Sequence, residues 1–513
     1  MSFGDYLQGS IELIAVAAAL GYGAAGLRGR LLPGWSGAPA RLAEVVLGLS
    51  LLVVILELVG VIGLYRPGWV LAASLTAGLG LGFALRKPRQ GVAPATPPVG
   101  PVALAVALAA ALLVAAHWAM PTQTGLDIGM YLPNTTWHNA PFAARFVQDA
   151  QVGALHYTEV LDLTVWFYPQ NSELLHSAGV LFLGNDFLSP LINIGWMSLC
   201  LLAAWSFARP YGTGPVAILA IALVLDANML LLYQPGDAKN DTAGLFFLLA
   251  SAAILVNADA QRRAASGLGP AGIPNEAAAR QGETGTPLRR GLPAGPTPPT
   301  APALPTGTLL VAGLAAGLAL GTKLTVVPPV LALTAGVIFI SPTGRRLRAS
   351  GIWIGAALIG GGYWYLRNLV VSGNPFPWQD IGPIQHSEAL QGRDPHSVIH
   401  YATDTDVWGK YFTPALHERL GDLWPAYLAL AVIAVLLVLW RGGRVERMLG
   451  VVAILSFIAY LFTPLSASGP DGMPIGFRLN IRYLAPGLTL ALTLLAIPPS
   501  FSFLRGREAW WRV

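Results

Sequence analysis

Apolar residues come in blocks along this chain. Nearly uncharged stretches recur near 10–27, 43–64, 69–85 and 100–118, and again near 185–207, 213–234, 241–258, 306–322, 324–341, 351–370, 424–440, 448–464 and 483–504. A helix needs roughly 20 apolar residues to cross a hydrocarbon core about 30 Å thick. The pattern therefore predicts an all-α integral membrane protein with about thirteen transmembrane helices. The stretches between the blocks are of two kinds. Residues 259–305 hold Pro, Gly, Ala and Arg with almost no large apolar side chain, and read as a disordered cytoplasmic linker. Residues 119–184, 371–423 and 465–482 mix Trp, Tyr, His, Asp and Arg with helix signals, the composition of ordered loops that carry function. The chain thus divides into N-terminal helices 1–99, to which no role is assigned, a first half 100–258, the linker 259–305, and a second half 306–513.

Two further helices are expected in the first large loop, lying along the membrane surface and walling a cavity. In one, Asn139 caps a helix with Pro141 in its first turn and Phe142, Phe146 and Val147 on one face, with Arg145 and Asp149 on another. The other follows Tyr168-Pro169-Gln170, is capped by Asn171 or Ser172, and runs through Leu174, Leu175 and Val180.

Composition agrees with the block pattern. The chain is 54% hydrophobic and 11% charged, with a mean hydropathy of +0.58, outside the range of soluble domains of this length. One cysteine, Cys200, excludes a disulfide framework and a cysteine metal site, and argues against redox chemistry. The net charge of +5 sits mainly in short loops, where it sets orientation; no nucleic-acid site is read from it. With the amino terminus outside, 21 of the 31 cations fall in inner loops, as the positive-inside rule requires. The carboxyl terminus is then cytoplasmic, and the histidines gather at the outer side. Asp5 and Glu12 replace the basic region that a cleavable signal would carry.

The outer side collects the candidate chemistry. Asp127 stands just beyond the fourth span, and Asp237 and Asp241 bracket Lys239 in Gly-Asp-Ala-Lys-Asn-Asp. A lone aspartate in such a place is ordinarily a turn or cap residue. Lys323, Arg367, Arg478 and Arg482 lie at span ends against the positive-inside pattern. Any one of them is explained by snorkelling, but four together point to a membrane-borne anion such as a lipid phosphate, which arginine binds bidentately.

In order along the chain come an outer-loop Asp, Pro-Phe-Ala-Ala-Arg-Phe, Tyr-Pro-Gln-Asn-Ser-Glu-Leu-Leu, Lys-Asn-Asp, Gly-Thr-Lys, Tyr-Leu-Arg-Asn and Gly-Asn-Pro-Phe-Pro. That order resembles the GT-C superfamily of polyprenyl-phosphate-dependent glycosyltransferases, related to protein O-mannosyltransferases and the lipid A aminoarabinose transferase. The resemblance spans roughly residues 100–490. It implies a GT-C-like helix bundle in a bacterial inner membrane, with the active site extracytoplasmic. A sugar would pass from a polyprenyl-phosphate donor to a glycan, lipid or protein hydroxyl, with inversion. It implies Asp127, Asp237 and Asp241 as catalytic acids. Lys239, Lys323, Arg367, Arg478 and Arg482 would hold the donor phosphate, and His138, Tyr168, Glu173 and His176 would line the acceptor cavity. Where relatives carry an aspartate seven residues before the helix proline and a Tyr-His pair shortly after it, this chain has Asn134 and Trp137-His138-Asn139.

A divalent cation remains open, since Glu173 and His176 stand at i, i+3. Two acids inside apolar runs, Glu57 and Asp226, sustain a competing reading as a transporter. A catalytically silent scaffold subunit is a third.

Overall fold

The computed structural model describes residues 2–87, 91, 96–154, 163–265, 303–387, 390 and 396–497. Among these, every regular element is helical. As far as they are described, the apolar blocks fall on helices; residues 498–504 of the last lie outside the described residues. The first half holds α1 (Phe3–Leu31), α2 (Gly37–Val61), α3 (Pro67–Ala84), α4 (Pro101–Ile128), α5 (Ala140–Gln148), α6 (Asn171–Leu183), α7 (Ser189–Ala208), α8 (Gly214–Asp226) and α9 (Asp241–Ala265). The second holds α10 (Thr306–Leu320), α11 (Val327–Ile340), α12 (Arg346–Ser372), α13 (Thr413–Leu420), α14 (Trp424–Arg441), α15 (Arg444–Phe462) and α16 (Ala485–Thr493). Proline sits in the first turn of α3, α4, α7, α8, α14 and α16, where its missing N–H is unpaired in any helix.

Among the described residues, nine helices are long and apolar enough to cross a membrane, and ten if the bent pair Leu324–Ile340 and Thr343–Ser372 is one span. This is a multi-pass membrane protein. Two blocks stand apart as apolar helices too short for this test, α8 with 13 residues and α10 with 15, about 20 and 22 Å long at 1.5 Å per residue.

In lipid there is no hydrophobic force between helices, so close contact depends on small residues. The chain meets this need with glycine. A Cβ on Gly317 of α10 would lie 2.1 Å from the Ala357 carbonyl oxygen of α12, and one on Gly78 of α3 would lie 2.3 Å from the Ala19 carbonyl oxygen of α1. The centre of the bundle is α9, whose apolar window is entirely enclosed by protein, with α2, α7, α10, α15 and α16 packed around it. Large apolar residues on the outside, among them Ile14, Leu112, Leu358 and Leu436, are exposed, as a lipid-facing belt must be.

The two ends of the bundle differ. At one end cations are paired: Arg28 lies 2.9 Å and Arg41 2.6 Å from Glu44, Arg263 lies 2.5 Å from Glu446, and the Tyr211 hydroxyl donates to Glu446 at 2.7 Å. Asp259 joins them through Arg262 and Arg263. Residues 259–265, expected to belong to the linker, instead continue α9 to Ala265 on these ion pairs; residues 266–302 lie outside the described residues.

The first large loop also departs from expectation. α5 buries Phe142, Ala143 and Phe146, but Asn139 does not cap it. A π-helical turn, Thr135–Asn139, runs directly into α5, and the Asn139 amide is used elsewhere. α6 is not a surface helix at all: every residue from Asn171 to Leu183 except Val180 is buried, against α1, α2, α5 and α7. Its polar first turn is satisfied inside the protein rather than by water. Asn171 N donates to Gly321 O at 2.8 Å, its side-chain amide donates to Gly360 O at 2.9 Å, and its side-chain oxygen accepts from Trp364 Nε1 at 2.7 Å.

Candidate functional site

At the other end of the bundle, charges converge on the first residue of α9. Asp241 is buried. Lys323 Nζ, at the close of α10, lies 3.1 Å from its Oδ1, and Arg482 Nε, just before α16, lies 3.9 Å from the same oxygen. Gln234 Nε2 donates to Oδ2 at 2.9 Å. Lys323 also donates to Asn240 Oδ1 at 2.8 Å. The loop before α9 is strapped down by Asn193, whose amide donates to the carbonyls of Asp237 and Lys239 at 2.7 and 3.0 Å. Ala238 N donates to Thr135 Oγ1 at 3.2 Å.

Two more buried cations complete the cluster. Lys239 Nζ stands 4.6 Å and the Arg419 guanidinium 4.9 Å from the ring centroid of Tyr233. Arg419, in α13, is 3% exposed, and its Nε and Nη1 have no hydrogen-bond partner among the described residues. Burial and the nearby Arg482, only partly offset by Asp241, push the Lys239 ammonium down to about 7. Burial raises the Asp237 carboxyl above its ordinary value, against the Thr135 hydroxyl and Lys239. Lys239, Lys323 and Arg482 face Asp241, with Asp237 beside Lys239, while Arg419 pairs with Glu418 at 3.4 Å; three cations against two acids leave positive charge in excess. Buried charge without compensation is costly.

A buried carboxyl adjoins the cluster. Glu173, in the first turn of α6, is 2% exposed. It accepts from the Asn139 amide at 2.5 Å and from the Asn240 amide at 3.5 Å, while its Oε2 has no partner among the described residues. Burial, moderated by Asn139 and Lys323, pushes it up to about 7. Asn240 therefore connects Glu173 to Lys323, and Lys323 connects to Asp241 and Arg482. One turn further along α6, His176 is buried with neither ring nitrogen hydrogen-bonded among the described residues, and burial pushes it down to about 4.

Several predicted residues lie elsewhere. Asp127 is not in a loop but in the last turn of α4, exposed and without a hydrogen bond or ion pair among the described residues. Gly125, two residues earlier, packs against the Gly236 carbonyl, which turns Asp127 away from that contact. Arg478 is exposed and bound to Glu418 at 2.5 Å. Arg367 is buried in α12 but turned to the Trp166 carbonyl at 2.5 Å, the Asn368 side chain at 2.9 Å and the Trp364 ring. His138 rests near the Phe142 ring, and Tyr168 meets Trp378 edge-on at 5.5 Å. Of the intramembrane acids, Asp226 is 2.7 Å from His117 of α4, while Glu57 is buried in α2 with its Oε1 unpartnered among the described residues.

Arg419, Asn240, Gln234 and Tyr233 join the site without having been singled out from sequence. A small apolar crevice of about 10 Å³, whose lining includes Leu223, Leu420, Tyr427, Leu488 and Leu492, lies at the residue after Arg419.

No protein-family model matches this chain, and neither does any curated protein or solved structure.

Proposed function

We propose that this protein is a membrane glycosyltransferase with a GT-C-like bundle of about thirteen transmembrane helices, using a sugar linked to polyprenyl phosphate as donor. The observation that carries the reading is the buried excess of positive charge formed by Lys239, Lys323 and Arg482 around Asp241. A lipid phosphate matches it in charge, with its headgroup among the cations. The site is assigned to the extracytoplasmic face of a bacterial inner membrane, with the amino terminus outside.

In the reaction an acceptor hydroxyl oxygen attacks the anomeric carbon as the bond from that carbon to the phosphate oxygen breaks. The bonding pair leaves on the phosphate, where fixed cations stabilise the growing charge. The hydroxyl proton passes to a carboxylate. Glu173 is the better placed acceptor, since it is buried beside the cations with one oxygen unpartnered. Asp241 is occupied with organising Lys323 and Arg482, and Asp127 would serve from the rim. Attack opposite the departing phosphate inverts the anomeric centre.

The test uses purified protein in nanodiscs with a radiolabelled short-chain polyprenyl-phosphate sugar and native membrane extract as acceptor. Lys323→Ala and Arg482→Ala are expected to weaken donor binding and lower transfer by about 100-fold each, the scale of a lost transition-state donor. Glu173→Gln should keep donor binding and lose transfer, whereas Asp127→Asn should lose little. Failure of the wild type to bind the donor overturns the reading, and full activity of Glu173→Gln with loss in Asp127→Asn moves the base to the rim.

A further inference from the structure

Sequence reading pointed to Glu173 and His176 as partners for a cation. Among the described residues, the structure instead gathers a different set of metal-ligating side chains, His396, His400 and Asp471, with one ligand atom of each within 4.8 Å of the others. The residues come from two of the outer segments. His396 precedes the short helix Val398–Tyr401 and His400 lies within it, and Asp471 belongs to the segment that leads into Arg478 and Arg482.

Backbone and side-chain bonds already hold the two segments in register. Ala467 N donates to His396 O at 2.9 Å and Val398 N to Ser466 Oγ at 3.0 Å. The buried Tyr401 accepts from Gly472 N at 3.2 Å and donates to Asp471 Oδ1 at 3.2 Å. The donors are thus oriented from behind. His396 Nδ1 lies 3.1 Å from Gly469 O, leaving Nε2 as its outward nitrogen, and a carbonyl on the other ring nitrogen is the usual support of a ligating imidazole. His400 Nε2 lies 3.1 Å from Asp471 Oδ1. Donors about 2.0–2.2 Å from a tetrahedral zinc are separated by about 3.3 Å, so this pair already stands at ligand spacing. The imidazole rings of His396 and His400 are 4.7 Å apart, and a side-chain rotation of about an ångström brings the third donor in.

We infer that His396, His400 and Asp471 form a divalent transition-metal site, best suited to zinc, that staples the 396–412 segment to the 465–476 segment at the rim of the cation cluster. Two imidazoles and one carboxylate favour zinc over calcium or magnesium, which take oxygen ligands. The half-exposed His400 and exposed Asp471 leave the fourth position to water. By fixing the segment that runs into Arg482, the metal sets where that guanidinium stands. The inference does not depend on the chemistry proposed for the site.

The test titrates the chelator-stripped full-length protein with zinc alone, reading stoichiometry by elemental analysis and folding by thermal shift. The expected result is one zinc per chain with a raised Tm, and visible d–d bands of a tetrahedral site when cobalt replaces zinc. Both are lost in His400→Ala and Asp471→Asn, while His386→Ala and His417→Ala, whose imidazoles pair with Asp380 and Asp422, retain them. Tyr401→Phe should weaken binding by about 10–100-fold, as loss of a ligand's support does. Zinc bound equally by wild type, His400→Ala and Asp471→Asn, or by none of them, overturns the site; if those variants do not fold, absence of tetrahedral cobalt bands in the wild type overturns it alone.

Discussion

Glu173 shows how a single carboxyl is governed by where it is kept. Its ordinary value is 4.5 and burial pushes it up to about 7, so the folded protein holds a proton that the unfolded chain has released. Stability from this group is complete below about 4.5 and is lost as the pH rises through about 7. Glu173→Gln should therefore melt close to wild type at pH 5 and above it at pH 8, with a gap on the order of a few kcal/mol by scanning calorimetry in detergent. Equal gaps at both values would show that the carboxyl is not neutral in the fold. Transfer, if Glu173 takes the proton, should rise with pH to a plateau above about 7 in wild type. Arg419 belongs to the same scale. Nothing in the sequence His-Glu-Arg-Leu sets it apart, and only the placement of α13 against Tyr233 buries it.

At the level of helices, the apolar blocks were legible because their length is a local property. Among the described residues they lie on helices. What was not legible was how polar helices are buried. α6 begins Asn-Ser-Glu and carries His176, so its sequence reads as amphipathic, yet amides and carbonyls of α10 and α12 replace water around it. The same contact surface makes a prediction. Gly317→Leu would drive a side chain into the Ala357 backbone and should cost at least about 1–3 kcal/mol, seen as a lowered Tm and loss of monodisperse protein in size exclusion. Gly355→Leu on α12, whose Cβ direction is open, should change neither.

For the whole molecule, the distribution of charge separates an end rich in paired arginine from an end with histidine and unbalanced cations. The acids, lysines and arginines at the second end come from segments as far apart as 173 and 482, and the sequence showed their common side without showing which of them meet. Asp127, Arg367 and Arg478 share that side but not the cluster, because side is set by span parity while contact is set by helix rotation. Cys200 is buried, so introduced cysteines report against a quiet background. A membrane-impermeant maleimide added to intact cells should label Asp422→Cys, whose parent side chain is 98% exposed, and leave Arg348→Cys unlabelled until the cells are opened. The opposite pattern would invert the orientation and carry the site to the cytoplasm.

The shortness of α10 bears on how such a site meets its surroundings. A helix of 15 residues reaches about 22 Å, some 8 Å less than a hydrocarbon slab of about 30 Å. Since most residues of α10 are enclosed by protein, neighbouring helices and not the bilayer make up the difference, and Lys323, which follows its end, comes to rest inside the bundle with its side chain 15% exposed.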